Sequence, residues 1–137
     1  MDVKELAARA DSGEFSDFRE LVRALRGGNG CPWDKKQTLN TLIKYIREET
    51  EEAVEQIEAG SDAGACEELG DVFLILTMMV QVAEDEGRFT LEDVMRGISE
   101  KVVRRHPHVF GGLEVKDDAE VLANWNRIKE EEKKSRL

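Results

Sequence analysis

The chain has 137 residues, of which 36% are charged and 40% hydrophobic, and its net charge is −10. That length reads as one compact domain able to bury roughly two-thirds of its unfolded surface without help from a disulfide or structural metal. The acidity argues against nucleic-acid or anionic-membrane partners, which need positive charge to displace counterions, and no run reaches the roughly 18 apolar residues of a membrane span.

Two prolines, Pro32 and Pro107, bound a stretch free of helix breakers apart from scattered glycines. The chain therefore reads as all-α, an antiparallel bundle of about four to five helices in a single domain, with a core over about 15–111 and a C-terminal helix over about 118–133. The first helix is expected over 16–26, where Phe15, Phe18, Leu21, Val22 and Leu25 make an apolar stripe that ends at Gly27-Gly28-Asn29-Gly30. A long second helix is expected from residue 37 or 38 to 59, with Leu39, Leu42, Ile43, Ile46, Ala53, Val54 and Ile57 on its inner side. Ser61 and Asp62 then cap a third helix over 63–86, whose run from Val72 to Val80 should make it the buried centre. Thr90, with Asp93 three residues on, reads as the cap of a fourth helix that reaches Arg105 and is stopped by Pro107. Cys31 and Cys66 show no metal-ligand spacing and no secretory signal precedes them, so they read as free thiols of a cytoplasmic protein.

The second helix carries Arg47-Glu48-Glu49-Thr50-Glu51-Glu52. At 100° per residue, Glu48, Glu49 and Glu52 share an arc of about 100° beside the apolar stripe, whereas Glu51 points elsewhere. On the third helix Glu68 and Asp71 fall on the face of Val72, Ile75, Met79 and Val82, where ionised carboxylates are costly unless paired or bound to metal. Carboxylate pairs on two packed helices would converge on one point, and their repulsion calls for cations. Oxygen-only ligands select hard ions, Mg²⁺ with Mn²⁺ as a substitute. A di-iron bundle would need Glu-x-x-His motifs, and the two histidines, His106 and His108, flank Pro107 outside the expected helices. Lys101 and Arg105 share a helix face with Arg104 about 60° to one side, which suits either a phosphate clamp or a basic helix end facing the macrodipole.

These segments resemble the MazG family of nucleoside triphosphate pyrophosphohydrolases, within the all-α NTP pyrophosphatase superfamily. The resemblance rests on CPWDKKQT (31–38), EExxE at 48–52, ExxD at 68–71 and KVVRRHPHVFG (101–111), in that order. It implies hydrolysis of an NTP at the α–β phosphate link, with Mg²⁺ held by Glu49, Glu52, Glu68 and Asp71. It also implies that Glu48 orients or deprotonates the attacking water and that Lys101, Arg104 and Arg105 meet the triphosphate. Trp33 could stack on the base with Asp34 bonding base or sugar, or could simply anchor the loop; for Trp125 packing is the expected role. Many family members carry two tandem domains, and the HPHVF segment looks most like the first of these. The apolar breadth of the third helix, with the resemblance, implies a homodimer or dimer of dimers packed through helices two and three. Two further readings stay open: a narrower substrate such as dUTP, a damaged nucleotide or phosphoribosyl-ATP, and a non-catalytic nucleotide-binding or interaction module.

Overall fold

A computed structural model describes residues 2–136, and every regular element among them is a helix: α1 (Val3–Ala8), α2 (Phe15–Arg26), α3 (Pro32–Lys36), α4 (Leu39–Glu58), α5 (Asp62–Asp85), α6 (Leu91–Arg105), α7 (Pro107–Phe110) and α8 (Asp118–Ser135). The five long helices are those expected from the sequence, each within about two residues at either end. The short helices α1, α3 and α7 were not expected, because four to six residues leave too few apolar positions to show a period. Among the described residues no helix is long and apolar enough to cross a membrane.

Two compact units divide the chain, one ending at Leu91 and one beginning at Glu92. In the first, α4 and α5 form a helical hairpin packed along its length. Its turn depends on Gly60, which adopts φ 71°, a conformation that costs glycine nothing and an L side chain roughly 1–2 kcal/mol. Each helix is started by its own side-chain cap. Thr38 Oγ1 accepts from the Thr41 N–H at 3.1 Å while Thr41 Oγ1 accepts from the Thr38 N–H at 2.8 Å, and Ser61 Oγ accepts from the Gly64 N–H at 3.0 Å.

The core of this unit is Val22, Leu42, Met78 and Val82, with Phe18, Leu39, Tyr45, Leu74 and Met79 packed against it. Full burial of such side chains contributes roughly 1.5–3 kcal/mol each, so these few contacts lock α2 onto the hairpin. Both Met78 and Met79 are packing residues. The expectation that α5 is the buried centre needs correction at three positions, since Leu69, Phe73 and Leu76 are 46%, 56% and 47% exposed. So does the inner stripe of α4, where Leu42 and Ala53 are buried but Ile43, Val54 and Ile57 face outward. In both helices the apolar residues span more of the circumference than one neighbouring helix layer can cover.

α3 is held by the backbone rather than by its own length. Arg26 donates to the carbonyls of Asp34 and Gln37 and pairs with Asp85 on α5 at 2.9 Å, while Lys35 donates to the Gly28 carbonyl at 2.8 Å. Gly30 is needed where the chain folds back on α2, because a Cβ there would lie 2.2 Å from the Leu25 carbonyl oxygen.

In the second unit α6 ends at Arg105, and Pro107, expected only as a stop, also opens α7 at its first position, where its missing N–H costs nothing. His108 therefore lies inside a helical turn rather than outside the helices. α8 starts on Asp117, which accepts from the Glu120 N–H at 3.0 Å, and it buries Ile128.

Candidate functional site

The hairpin geometry places the acids of α4 and α5 against each other. Glu49 and Glu52 come from one helix and Glu68 and Asp71 from the other, each pair spaced by one turn. One carboxylate oxygen from each of the four lies within 4.8 Å of the others. Glu49, Glu68 and Asp71 are half-buried and Glu52 is exposed, so the cluster opens to solvent on one side.

Its electrostatics are those of charges without counter-charges. Glu49 Oε2 and Glu68 Oε2 are buried with no hydrogen-bond partner, whereas such groups in folded proteins are nearly always satisfied. Burial, followed by hydrogen bonding and repulsion from Glu52 and repulsion from Asp71, pushes the Glu68 carboxyl up to about 7. Glu49 is raised by the same causes in the same order, with Glu48 adding to the repulsion. A donor set made only of carboxylate oxygens, two of them unsatisfied and mutually repelling, fits a hard divalent cation such as Mg²⁺ or Mn²⁺. No histidine or thiolate joins the cluster, so the site lacks the ligands preferred by zinc.

The remaining expected site residues lie on α3, α4 and α6. Glu48 is exposed at the margin of the acidic cluster, with Lys44 Nζ 4.0 Å away. Trp33 is 47% exposed on α3 and meets Tyr45 edge-on with ring centroids 5.4 Å apart, so the ring is steadied by packing and still presents a free face. Asp34 is buried in the first turn of α3. Lys101, Arg104 and Arg105 lie in the second unit. There Arg104 and Arg105 are both engaged by Glu132 of α8. Trp125 carries the Arg105 guanidinium 5.1 Å from its ring centroid and meets His106 edge-on at 5.2 Å, the packing role expected of it.

Glu132, which ties Arg104 to Arg105, is not singled out by the sequence analysis, because it sits in the Glu-rich run 130–132 near the end of the expected helix 118–133. A signal was present. Trp125, Ile128 and Glu132 fall within about 60° on one helix face, so Glu132 is a carboxylate on an apolar stripe, as Glu68 and Asp71 are.

The profile of the MazG nucleotide pyrophosphohydrolase domain matches residues 37–110. The chain is 55% identical over 120 residues to the uncharacterized protein YabN of Bacillus subtilis, covering 88% of this chain and 24% of that protein. It is 42% identical to the nucleoside triphosphate pyrophosphohydrolase/pyrophosphatase MazG of Thermotoga maritima, covering 87% of this chain and 45% of that one. With the nucleoside triphosphate pyrophosphohydrolase of Escherichia coli strain K12 the identity is 44%, over 77% of this chain and 40% of the relative. The chain thus spans less than half the length of these relatives. Among solved structures, a mazG-related protein from Thermotoga maritima superimposes with a TM-score of 0.69 at 28% identity, covering 81% of this chain and 95% of that one.

Proposed function

The chain belongs to the MazG nucleotide pyrophosphohydrolase domain family, and from that premise we propose that it hydrolyses nucleoside triphosphates at the α–β phosphate link to nucleoside monophosphate and pyrophosphate. The observation that carries this reading is the four-acid cluster of α4 and α5, with two buried carboxylate oxygens left unpaired. The names of the Thermotoga and Escherichia relatives support the same reaction class.

Glu49, Glu52, Glu68 and Asp71 would hold Mg²⁺, or Mn²⁺ in its place. When bound, such an ion neutralises phosphate charge and lowers the pKa of water. Glu48 is free to work as a base, since its contact with Lys44 is long and solvent-exposed and so holds it weakly. Its role is to orient the attacking water and take its proton. Lys101 and Arg104 are the cations assigned to the triphosphate, whose charge they would offset on binding, with Arg105 held behind them by Glu132 and Trp125. Trp33 offers its exposed face to the base, and Asp34, next to it in the α3 turn that Arg26 ties down, is assigned to base or sugar.

The exposed stripe of Leu69, Phe73 and Leu76 on α5, with Ile43, Val54 and Ile57 on α4, supports assembly as a homodimer or dimer of dimers through the hairpin. Sedimentation at micromolar concentration should then show no dominant 15.5 kDa species. A reducing cytoplasm, where nucleotides are abundant, suits the two free cysteines.

Product analysis tests the reaction. The protein is incubated with a panel of NTPs and dNTPs with Mg²⁺ or with EDTA, and NMP, NDP, pyrophosphate and orthophosphate are resolved. NMP plus pyrophosphate only with metal is the expected result. A folded protein that releases no product from any nucleotide would overturn it in favour of a binding module.

A further inference from the structure

The arrangement of the second unit points to a residue outside the segments that carry the family resemblance. Glu132 divides its two oxygens between adjacent arginines. Oε2 accepts from Arg104 Nε at 3.1 Å and from Arg104 Nη2 at 2.9 Å, and Oε1 accepts from Arg105 Nε at 3.0 Å with Arg105 Nη2 also 2.9 Å away. The two guanidinium groups differ in setting. Arg105 keeps 13% of its side chain exposed and is stacked on Trp125, whereas Arg104 keeps 47% exposed, and the Glu132 side chain itself is 11% exposed.

Two like charges on consecutive residues would repel and splay without a shared partner. A carboxylate gripping the Nε edge of Arg104 fixes the plane of its guanidinium and leaves the Nη1 end pointing away from Glu132. That end is the bidentate donor a phosphate uses. Arg105, by contrast, is consumed by Glu132 and Trp125. We propose that Glu132 is a positioning residue that holds Arg104 as the phosphate-binding arginine of this face, while Arg105 braces Glu132 and does not itself contact the anion.

The inference rests on the triphosphate reading of this face, and tripolyphosphate alone serves as a probe that requires no turnover. Calorimetric binding of tripolyphosphate and NTP hydrolysis kinetics are compared for wild type, Glu132→Gln, Arg104→Gln and the double variant, with helical content checked by circular dichroism. Glutamine keeps the shape but cannot accept from both guanidinium groups. In Glu132→Gln the tripolyphosphate Kd and the KM for NTP should rise about tenfold or more, the scale of one charge-assisted hydrogen bond, with kcat within about threefold. In the Arg104→Gln background the same change should add less than about twofold, because residues in one network act as a unit.

Unchanged Kd and KM in a folded Glu132→Gln protein, tighter binding, or full additivity with Arg104→Gln would each overturn the assignment. Should Glu132→Gln not fold, Glu132→Asp, whose carboxylate is drawn back by one methylene from both guanidinium groups, must show a rise in Kd or the inference fails. A wild type that binds tripolyphosphate but cleaves no nucleotide would defeat the proposed reaction and leave this test intact; one that does not bind tripolyphosphate would overturn this inference itself.

Discussion

The two ends of α5 carry acids in opposite circumstances. Near its C-terminus Glu84 accepts from Arg19 at 2.7 Å and from Arg23 at 3.3 Å, and it also accepts from the Leu91 N–H at 2.8 Å. Burial alone would raise its pKa, but the Leu91 N–H and the two arginines outweigh that and hold it below the usual range. Thirteen and sixteen residues upstream, Asp71 and Glu68 cluster with Glu49 and Glu52, and the Glu68 carboxyl rises to about 7. Both ends offered the chain the same residue type on the same helix. What distinguishes them is what α2 and α4 bring opposite: arginines at one end, further carboxylates at the other. An acid held by two arginines and an N–H is a structural tie, whereas acids that face one another, with Glu49 Oε2 and Glu68 Oε2 unpaired, form a group able to hold a cation.

The largest break in this comparison should come from the unpaired end. Glu49→Gln or Asp71→Asn is expected to abolish turnover, beyond the roughly 10–100-fold cost of losing an outer-shell partner, while circular dichroism stays unchanged. If pyrophosphate release by either variant stayed near wild type, the ligand assignment would be wrong. At the paired end, Glu84→Ala removes the acceptor shared by the Leu91 N–H and the Arg19 and Arg23 guanidinium groups. Loss of about 2 kcal/mol is expected in urea denaturation, with metal affinity unaffected; a change below about 0.5 kcal/mol would remove the distinction between the two ends.

The smallest effect is one of pH, and its sign differs between acids. Glu68, raised to about 7 from 4.5 in the metal-free fold, holds its proton when the unfolded chain has lost it. Its contribution is therefore complete below pH 4.5 and lost as pH rises towards 7. Glu132 behaves oppositely: hydrogen bonds from Arg105 and then Arg104 bring it down to about 2, so its contribution is present above pH 4.5 and lost as pH falls towards 2. In EDTA, Glu68→Gln should gain Tm over wild type progressively from pH 4.5 to 7, and Mg²⁺ should cancel or reverse that gain. An equal Tm difference at all pH values would show that Glu68 titrates normally.

Much of this was legible in the sequence because helices are local. The period of Leu42, Ile46 and Ala53, the cap at Ser61, and the one-turn spacing of Glu49/Glu52 and Glu68/Asp71 are fixed by neighbours within four residues, so they can be read along the chain. An acid on an apolar stripe was informative for the same reason. Three things were decided only by the tertiary structure. Which part of the broad apolar circumference of α5 is buried depends on how α2 and α4 pack, and this left Phe73 exposed while Met78 is 2% exposed. The short helix α3 is tied down by Arg26 of α2, itself paired with Asp85 of α5, and that pairing exists only once the chain has folded. Finally, Glu132 and Glu84 carry the same side chain as their solvated neighbours, and only the arginines that folding brings to them, 27 and 65 residues distant in sequence, turn them into ties.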